Sequence, residues 1–341
     1  MLSGSQLLRT VARWTPGGVL RPFARPVMLV FHGVTRRIED PRIEVNHHTV
    51  DAFAALAKIL SLHFDVLPLA ALDDVLKNPT RHRNAVFLSS DDGYLNTLTN
   101  GADILDSLRL PWSLFVSTHH VDTGEPNPLF LARLFLYFAP DGTYRLPHLP
   151  EVVTLGAKRR GAVAFVITRF LRSLEAGKAR EAVAAMMAVF AESELRALIE
   201  RFPSERFLDW SQVSQLAARG VEIGAHAHEH WPMSAAQTPD YVQQQAKIAH
   251  DAVAAHVGQC RYFAYPFGNI GDVSSAAWQA VRDNGYRHAF TTMSATLDAG
   301  ANPWLLPRYS LMLKEPNLRA LLPMLRAGNA RLVRWQHRLS V

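Results

Sequence analysis

Apolar positions along the chain follow two alternating rhythms. Val27-Met28-Leu29-Val30-Phe31 and Ala85-Val86-Phe87-Leu88 are unbroken apolar runs, the pattern of strands buried on both faces. Residues 49–62 instead place Phe53, Leu56, Ile59 and Leu60 at helical spacing. Strands are expected at 27–31, 65–69, 85–88 and 111–117, with helices at 49–62, 70–77 and 95–108 between them. Strand–helix alternation of this kind argues for a parallel α/β sheet or barrel. The rhythm then lapses. From 119 to about 206 only helices are expected, at 130–138, 162–174 and 179–199, with loops at Gly124-Glu125-Pro126-Asn127-Pro128 and around 147–150. Alternation resumes with a helix at 211–219 stopped by Gly220, a strand at 221–225 and a helix at 241–257. A strand at 261–265, a helix at 274–284 and strands at 287–292 and 304–310 complete it.

Several of these strands end in residues able to do chemistry. The first ends at His32, the third at Asp91-Asp92-Gly93, and the one at 221–225 at His226-Ala227-His228-Glu229-His230. By itself Asp-Asp-Gly reads as a turn with a helix cap, and a His-rich pentapeptide as a solvated loop. Together, at one edge of a sheet, they make a candidate site. A His-x-x-x-His pair with a distant carboxylate can complete a His₂-carboxylate metal set with positions left for water and substrate.

Composition narrows the choice of partners. The 341 residues are 48% hydrophobic and 19% charged, so a sizeable core is available and global disorder is excluded. The net charge of +6 comes mostly from arginine and suits anionic partners. No nucleic-acid-binding motif accompanies it, so no nucleic acid is expected. Cys260 is the single cysteine; no intrachain disulfide or cysteine metal cluster is available, and any metal must be held by His and carboxylate.

Three stretches resemble the motifs of the polysaccharide deacetylases, the carbohydrate esterase family that includes the chitooligosaccharide deacetylase NodB. They are Leu88-Ser89-Ser90-Asp91-Asp92-Gly93-Tyr94, the Glu222-Ile223-Gly224 strand with His226 to His230, and Phe263-Ala264-Tyr265-Pro266-Phe267-Gly268. The resemblance covers about 27–117 and 207–310 and implies a deformed (β/α) barrel of about seven parallel strands. The expected division is a basic amphipathic segment (1–26), the barrel (27–118 and 207–312), a helical insertion (119–206) and a basic C-terminal helix (313–341). By resemblance, Asp92, His226 and His230 bind a divalent metal, zinc being the expected ion. Asp91 is the general base, and the backbone N–H of Phe267 stabilises the oxyanion. The implied reaction removes acetyl groups from an N-acetylated glycan or glycolipid and releases acetate. A carbohydrate-binding protein on a decayed scaffold and a non-glycan amidase are the rival readings.

The chain departs from the family pattern at several positions. Ser90 stands where relatives carry Phe, Ala227 where they carry Ser or Thr, and Ala264 where many carry the Arg that orients the base. Arg308, after Pro307 at the end of the last strand, is the candidate substitute; the alternative is a surface or phosphate-binding arginine. The family's late Leu-x-x-His acid has no counterpart in the C-terminal third. His32 is the candidate acid, since the first and last strands of a closed barrel are neighbours; the alternative is a buried structural histidine. His228 is expected to face away from the ion, and His47 and His48 to be capping or surface residues. Residues 1–26 lack a secretory signal pattern, and no run is long enough to span a membrane. Arg9, Arg13, Arg21 and Arg25 lie in a segment with no acidic residue, and none follows Glu315. The location expected from these ends is cytoplasmic, in peripheral contact with the anionic inner membrane; the alternative for residues 1–26 is a helix packed on its own domain.

Overall fold

The computed structural model describes residues 25–311. The two expected basic segments therefore lie outside the described residues, apart from Arg25 and Pro26. The strands are β1 Val27–Phe31, β2 Gly33–Thr35, β3 His47–Thr49, β4 Asp65–Val66, β5 Ala85–Ser90, β6 Ser113–Val116, β7 Gly142–Tyr144, β8 Val153–Leu155, β9 Glu222–Ala225, β10 Tyr262–Ala264, β11 His288–Phe290 and β12 Tyr309–Ser310. Seven of them form one parallel path in the order β11-β10-β9-β6-β5-β1-β12, with β4 attached to β5. At one end Leu29 of β1 pairs with Tyr309 of β12. At the other, a parallel bridge joins Phe290 to Leu306, on the lead-in to β12. The two ends of the sheet thus meet, which is the expected barrel.

Period-two alternation along these strands sorts the side chains into two cores. Leu29, Phe31, Val86, Leu88, Leu114, Val116, Phe263 and Tyr265 join the apolar layer shared with the surrounding helices. Met28, Phe87, Phe115, Tyr262, Ala264, Phe290 and Leu306 form the barrel's own filling. Space inside is tight: a Cβ on Gly224 of β9 would lie 2.7 Å from the Phe115 ring and from the Tyr262 carbonyl oxygen.

The helices are α1 Val50–His63, α2 Leu72–Lys77, α3 Asp103–Ser107, α4 Thr118–Thr123, α5 Pro128–Phe138, α6 Arg160–Leu171, α7 Ala176–Met187, α8 Glu192–Glu200, α9 Trp210–Ala218, α10 Pro239–Val257 and α11 Ser275–Asp283. Their ends carry ordinary signals: Thr49 caps α1, Asp209 and Gln212 form a capping box on α9, and Gly258 ends α10 in the left-handed conformation. Between β6 and β9, helices α5, α6 and α7 and the β7–β8 hairpin enclose a separate apolar cluster that includes Phe135, Leu171, Ala179, Met186 and, from beyond β9, Trp231.

Local differences from the sequence reading have identifiable causes. The antiparallel β7–β8 hairpin lies where no strand was expected, and its three-residue strands are too short for a readable alternation. The long helix expected at 179–199 is two helices, because Phe190 turns into the insertion's core although no glycine or proline marks the break. The helix expected at 95–108 contains a π-helical turn, Thr97–Ala102. Its side chains Asn96 and Asn100 bond the backbone N–H and C=O of Val34 in β2. His47 is not on the surface: it lies in β3, buried, with Nε2 donating to the Ser204 carbonyl at 2.8 Å. His48 is buried as well.

Candidate active site

β5 ends in Ser90, and the chain then enters the left-handed region at Asp92 (φ 75°) and Gly93 (φ 89°). Non-glycine residues adopt this conformation at a cost of about 1–2 kcal/mol. Ala227 (φ 58°), His230 (φ 59°) and Phe267 (φ 62°) do the same, so three loops at the same barrel mouth carry strained backbone. The strain turns their side chains or N–H groups toward one space.

In that space Asp92 Oδ1 lies 2.8 Å from His230 Nε2 and 3.3 Å from His226 Nε2. The three side chains are buried, and one ligand atom from each lies within 4.8 Å of the others. His226 Nδ1 is 2.8 Å from the Ala264 carbonyl oxygen. A carbonyl only accepts, so Nδ1 carries a proton and Nε2 is the nitrogen offered to the site. His230 is held differently. Asn127 caps α5 with its Oδ1, taking the Leu129 N–H, and turns its Nδ2 toward His230 Nδ1 at 3.1 Å. Nδ1 therefore accepts, and Nε2 donates to Asp92 until a metal displaces its proton. Burial pushes the Asp92 carboxyl up, but its interactions with His230 and His32 and hydrogen bonds from both facing histidines overcome it and hold it well below the usual carboxylate range. Burial lowers His226, but the Asp91 charge and the Asp92 contacts outweigh it and leave the imidazole raised. Two imidazole nitrogens and a buried carboxylate oxygen converging in this way can hold a divalent metal.

Asp91 lies beside this group, its Oδ2 3.9 Å from His226 Nε2. Arg308 forks onto it, Nη1 to Oδ1 and Nη2 to Oδ2 at 2.7 Å each. The guanidinium is itself fully buried. It also bonds Ser89 Oγ and the Thr291 carbonyl at 3.1 Å, and lies against the Phe115 and Phe290 rings. Desolvation raises Asp91, but the Arg308 charge, the His226 charge and the Arg308 hydrogen bonds together leave it below its ordinary value. The candidate Arg308 is thus brought onto Asp91, while Ala264 lies in the barrel's apolar filling.

The other departures are also accommodated. Ser90 Oγ donates to the His32 carbonyl at 3.0 Å, tying β5 to the end of β1. The loop holding Ala227 is ordered by Ser117 Oγ on the His226 carbonyl and by Gln245 Oε1, which accepts from the His228 and Glu229 N–H groups. His228 turns its Nδ1 to Thr118 Oγ1 at 2.8 Å. Phe267 donates its N–H to no group among the described residues, while its carbonyl accepts from Thr292.

A cleft of about 630 Å³ opens above these residues. His32, Asp91, Asp92, His226, His230 and Phe267 line its floor, and α5 and α6 supply a wall. Burial holds His32 below its ordinary value, against the opposing charges of Asp92 and Asp91. The sequence reading missed two groups near this floor. Asn127 announced only a helix start, through Asn-Pro at a cap. Arg133, the single charge in the apolar α5, was the visible signal of a buried cation.

No curated protein matches the chain by sequence. Solved structures do match its fold. The deacetylase PplD of Streptococcus pyogenes, in complex with acetate, superposes with a TM-score of 0.57 at 14% identity, covering 88% of this chain and 98% of that one. IcaB from Ammonifex degensii gives 0.55 at 15%, covering 89% and 98%. The de-N-acetylase from Aggregatibacter actinomycetemcomitans gives 0.53 at 14%, covering 88% and 99%. The family profile described as polysaccharide deacetylase matches residues 78–289, which takes in both the Asp91-Asp92 and the His226–His230 loops. A match over well more than half of the sequence settles the lineage: the chain belongs to the polysaccharide deacetylase family.

Proposed function

We propose that the protein hydrolyses N-acetyl groups of an N-acetylated glycan or glycolipid with the help of a divalent metal, zinc by the nature of the donor set. The observation that carries this reading is the second carboxylate: Asp91 lies beside the Asp92, His226 and His230 group and is gripped by a buried, bidentate arginine. A binding protein has no use for a buried ionised carboxylate held next to a metal-binding set. When bound, the metal would polarise the acetyl carbonyl and acidify water.

The remaining steps fall to the chain's own side chains. Asp91, kept ionised by Arg308, accepts the proton of the attacking water. Phe267 lines the cleft, and its N–H, which meets no acceptor among the described residues, is assigned to the developing oxyanion. The departing amine needs a proton, and His32 in the same cleft is assigned its delivery. Burial keeps His32 neutral at rest, so the proton it passes on is one released in the reaction. The products are acetate and a free amine on the sugar.

No helix among the described residues is long and apolar enough to cross a membrane. We place the enzyme in the cytoplasm, resting peripherally on anionic lipid through its basic ends. Flotation with anionic liposomes, with and without residues 1–25, tests that placement; equal behaviour counts against it. The activity itself is tested by acetate release from a panel of N-acetylated saccharides and simple amides. Asp91→Asn should keep its metal, read by elemental analysis, while losing about 10²–10⁴ in kcat. Unchanged acetate release by that variant would remove Asp91 from the mechanism.

A further inference from the structure

Three arginines line the cleft: Arg42, Arg133 and Arg172. Two are bonded to carboxylates. Arg42 forks onto Asp40, and Arg172 bonds both oxygens of Asp272 while stacking on Phe267 at 4.1 Å. Arg133 is different. Its side chain is only 14% exposed, yet it donates no hydrogen bond among the described residues; its Nε, like that of Arg172, is buried without a partner. The nearest carboxylate oxygen, Glu205 Oε2, is 3.8 Å away and is likewise unpartnered. Burial also lifts Glu205 to about 7, so it gives Arg133 only part of a counter-charge at neutral pH. A buried guanidinium with unused donors is costly unless an acceptor comes to it.

Its position says where that acceptor would come from. Leu129, Arg133 and Tyr137 recur every four residues and present one face of α5 to the cleft. The same helix begins at Asn127, which touches His230. Six helical residues separate Asn127 from Arg133, roughly 9 Å of rise. A group bound by Arg133 therefore lies in the same cleft as the metal-binding set, toward the far end of α5.

We propose that Arg133 forms an anion subsite that receives a phosphate or carboxylate group carried by the N-acetylated substrate beside the sugar being deacetylated. Calling the ligand a substrate rests on the deacetylase reading above; the presence of an anion site does not. The guanidinium fork suits both oxyacids, because each offers two oxygens at the spacing of its N–H groups. The acetate product has the same chemistry and is the competing source.

The test uses the full chain loaded with Zn²⁺. Acetate release is measured on N-acetylglucosamine 1-phosphate and on the neutral methyl glycoside of N-acetylglucosamine. The wild type should favour the phosphorylated sugar, and Arg133→Gln should lower the ratio of the two kcat/KM values by about 10- to 100-fold, the worth of charge-assisted hydrogen bonds. Arg133→Lys should retain part of the preference. In parallel, calorimetry with inorganic phosphate should show weaker binding to Arg133→Gln and tighter binding to Glu205→Gln, which leaves the arginine without a counter-charge. The Arg133→Gln, Glu205→Gln double variant keeps a neutral pair and guards against misfolding of the single one. Equal phosphate affinity in folded wild type and variants overturns the subsite. Acetate affinity that depends on Arg133, with no discrimination between the two sugars, assigns the arginine to product and overturns the substrate assignment. If neither sugar releases acetate, the deacetylase reading is the one in question, and the phosphate arm still decides the subsite.

Discussion

Replacing Arg308 by methionine removes both hydrogen bonds to Asp91 and leaves that carboxylate buried without its guanidinium. Breaking one side of a buried ion pair costs about 3–5 kcal/mol. A domain of this kind has about 5–15 kcal/mol in all, so the variant should unfold at visibly lower denaturant. Asp91 has a folded-state pKa below its unfolded value, so in the wild type its contribution is present above the unfolded pKa of about 3.9 and is lost as pH falls through the folded one. In Arg308→Met that contribution disappears and the carboxyl titrates higher. The acid limb of the kcat/KM profile should therefore move up in pH, with metal content unchanged. Adding Asp91→Asn to Arg308→Met removes the stranded charge. The double variant should regain much of the stability and none of the activity. Urea unfolding and acetate release over the acid range measure both. If Arg308→Met is as stable as wild type with an unmoved acid limb, the arginine does not hold the base and the reasoning fails.

Other expectations follow from the same geometry. Metal binding should release protons and weaken as pH falls, because His226 is raised; proton release measured during zinc titration checks this, and a pH-independent affinity would contradict it. Glu205 is lifted from 4.5 to about 7 by burial, so its ionisation opposes folding progressively across that interval. Glu205→Gln should flatten the fall in stability between those two pH values, and an unchanged slope in urea midpoints would refute the assignment. Gly224→Ala places a methyl against the Phe115 ring and should cost about 1–3 kcal/mol by overpacking the barrel, read as a lower melting temperature with the metal site still able to load.

The sequence was most informative where the physics is local and periodic. Continuous apolar runs marked β1 and β5, and Gly220 marked the end of α9, because strand burial and a glycine helix stop leave a direct signature in neighbouring residues. The Asp91-Asp92 and His226–His230 stretches were legible for the same reason: each is short and ends a strand. What was illegible depends on separation along the chain. Nothing near Asn127 tells that its amide meets His230, 103 residues away. The burial of His47 depends on Ser204, 157 residues away. Arg308 was reachable only from its place at the end of the last strand, and its meeting with Asp91 depends on topology rather than pattern. Residues 142–155 offered two strands too short to alternate, so that hairpin left no trace.

The pairing of Arg308 with Asp91 spans 217 residues, and it carries a consequence for how the protein is made. A ribosome delivers the carboxylates first, the two histidines next and the arginine late. Until the final strand docks between β11 and β1, Asp91 has no fixed orientation and its charge has no buried partner. A nascent chain can therefore gather its metal donors while still lacking an oriented base. Such late, long-range closure is slow by topology. On the proposed deacetylase reading it would also act as a safeguard: incomplete chains, including any that stop before residue 308, would lack the arginine that holds Asp91.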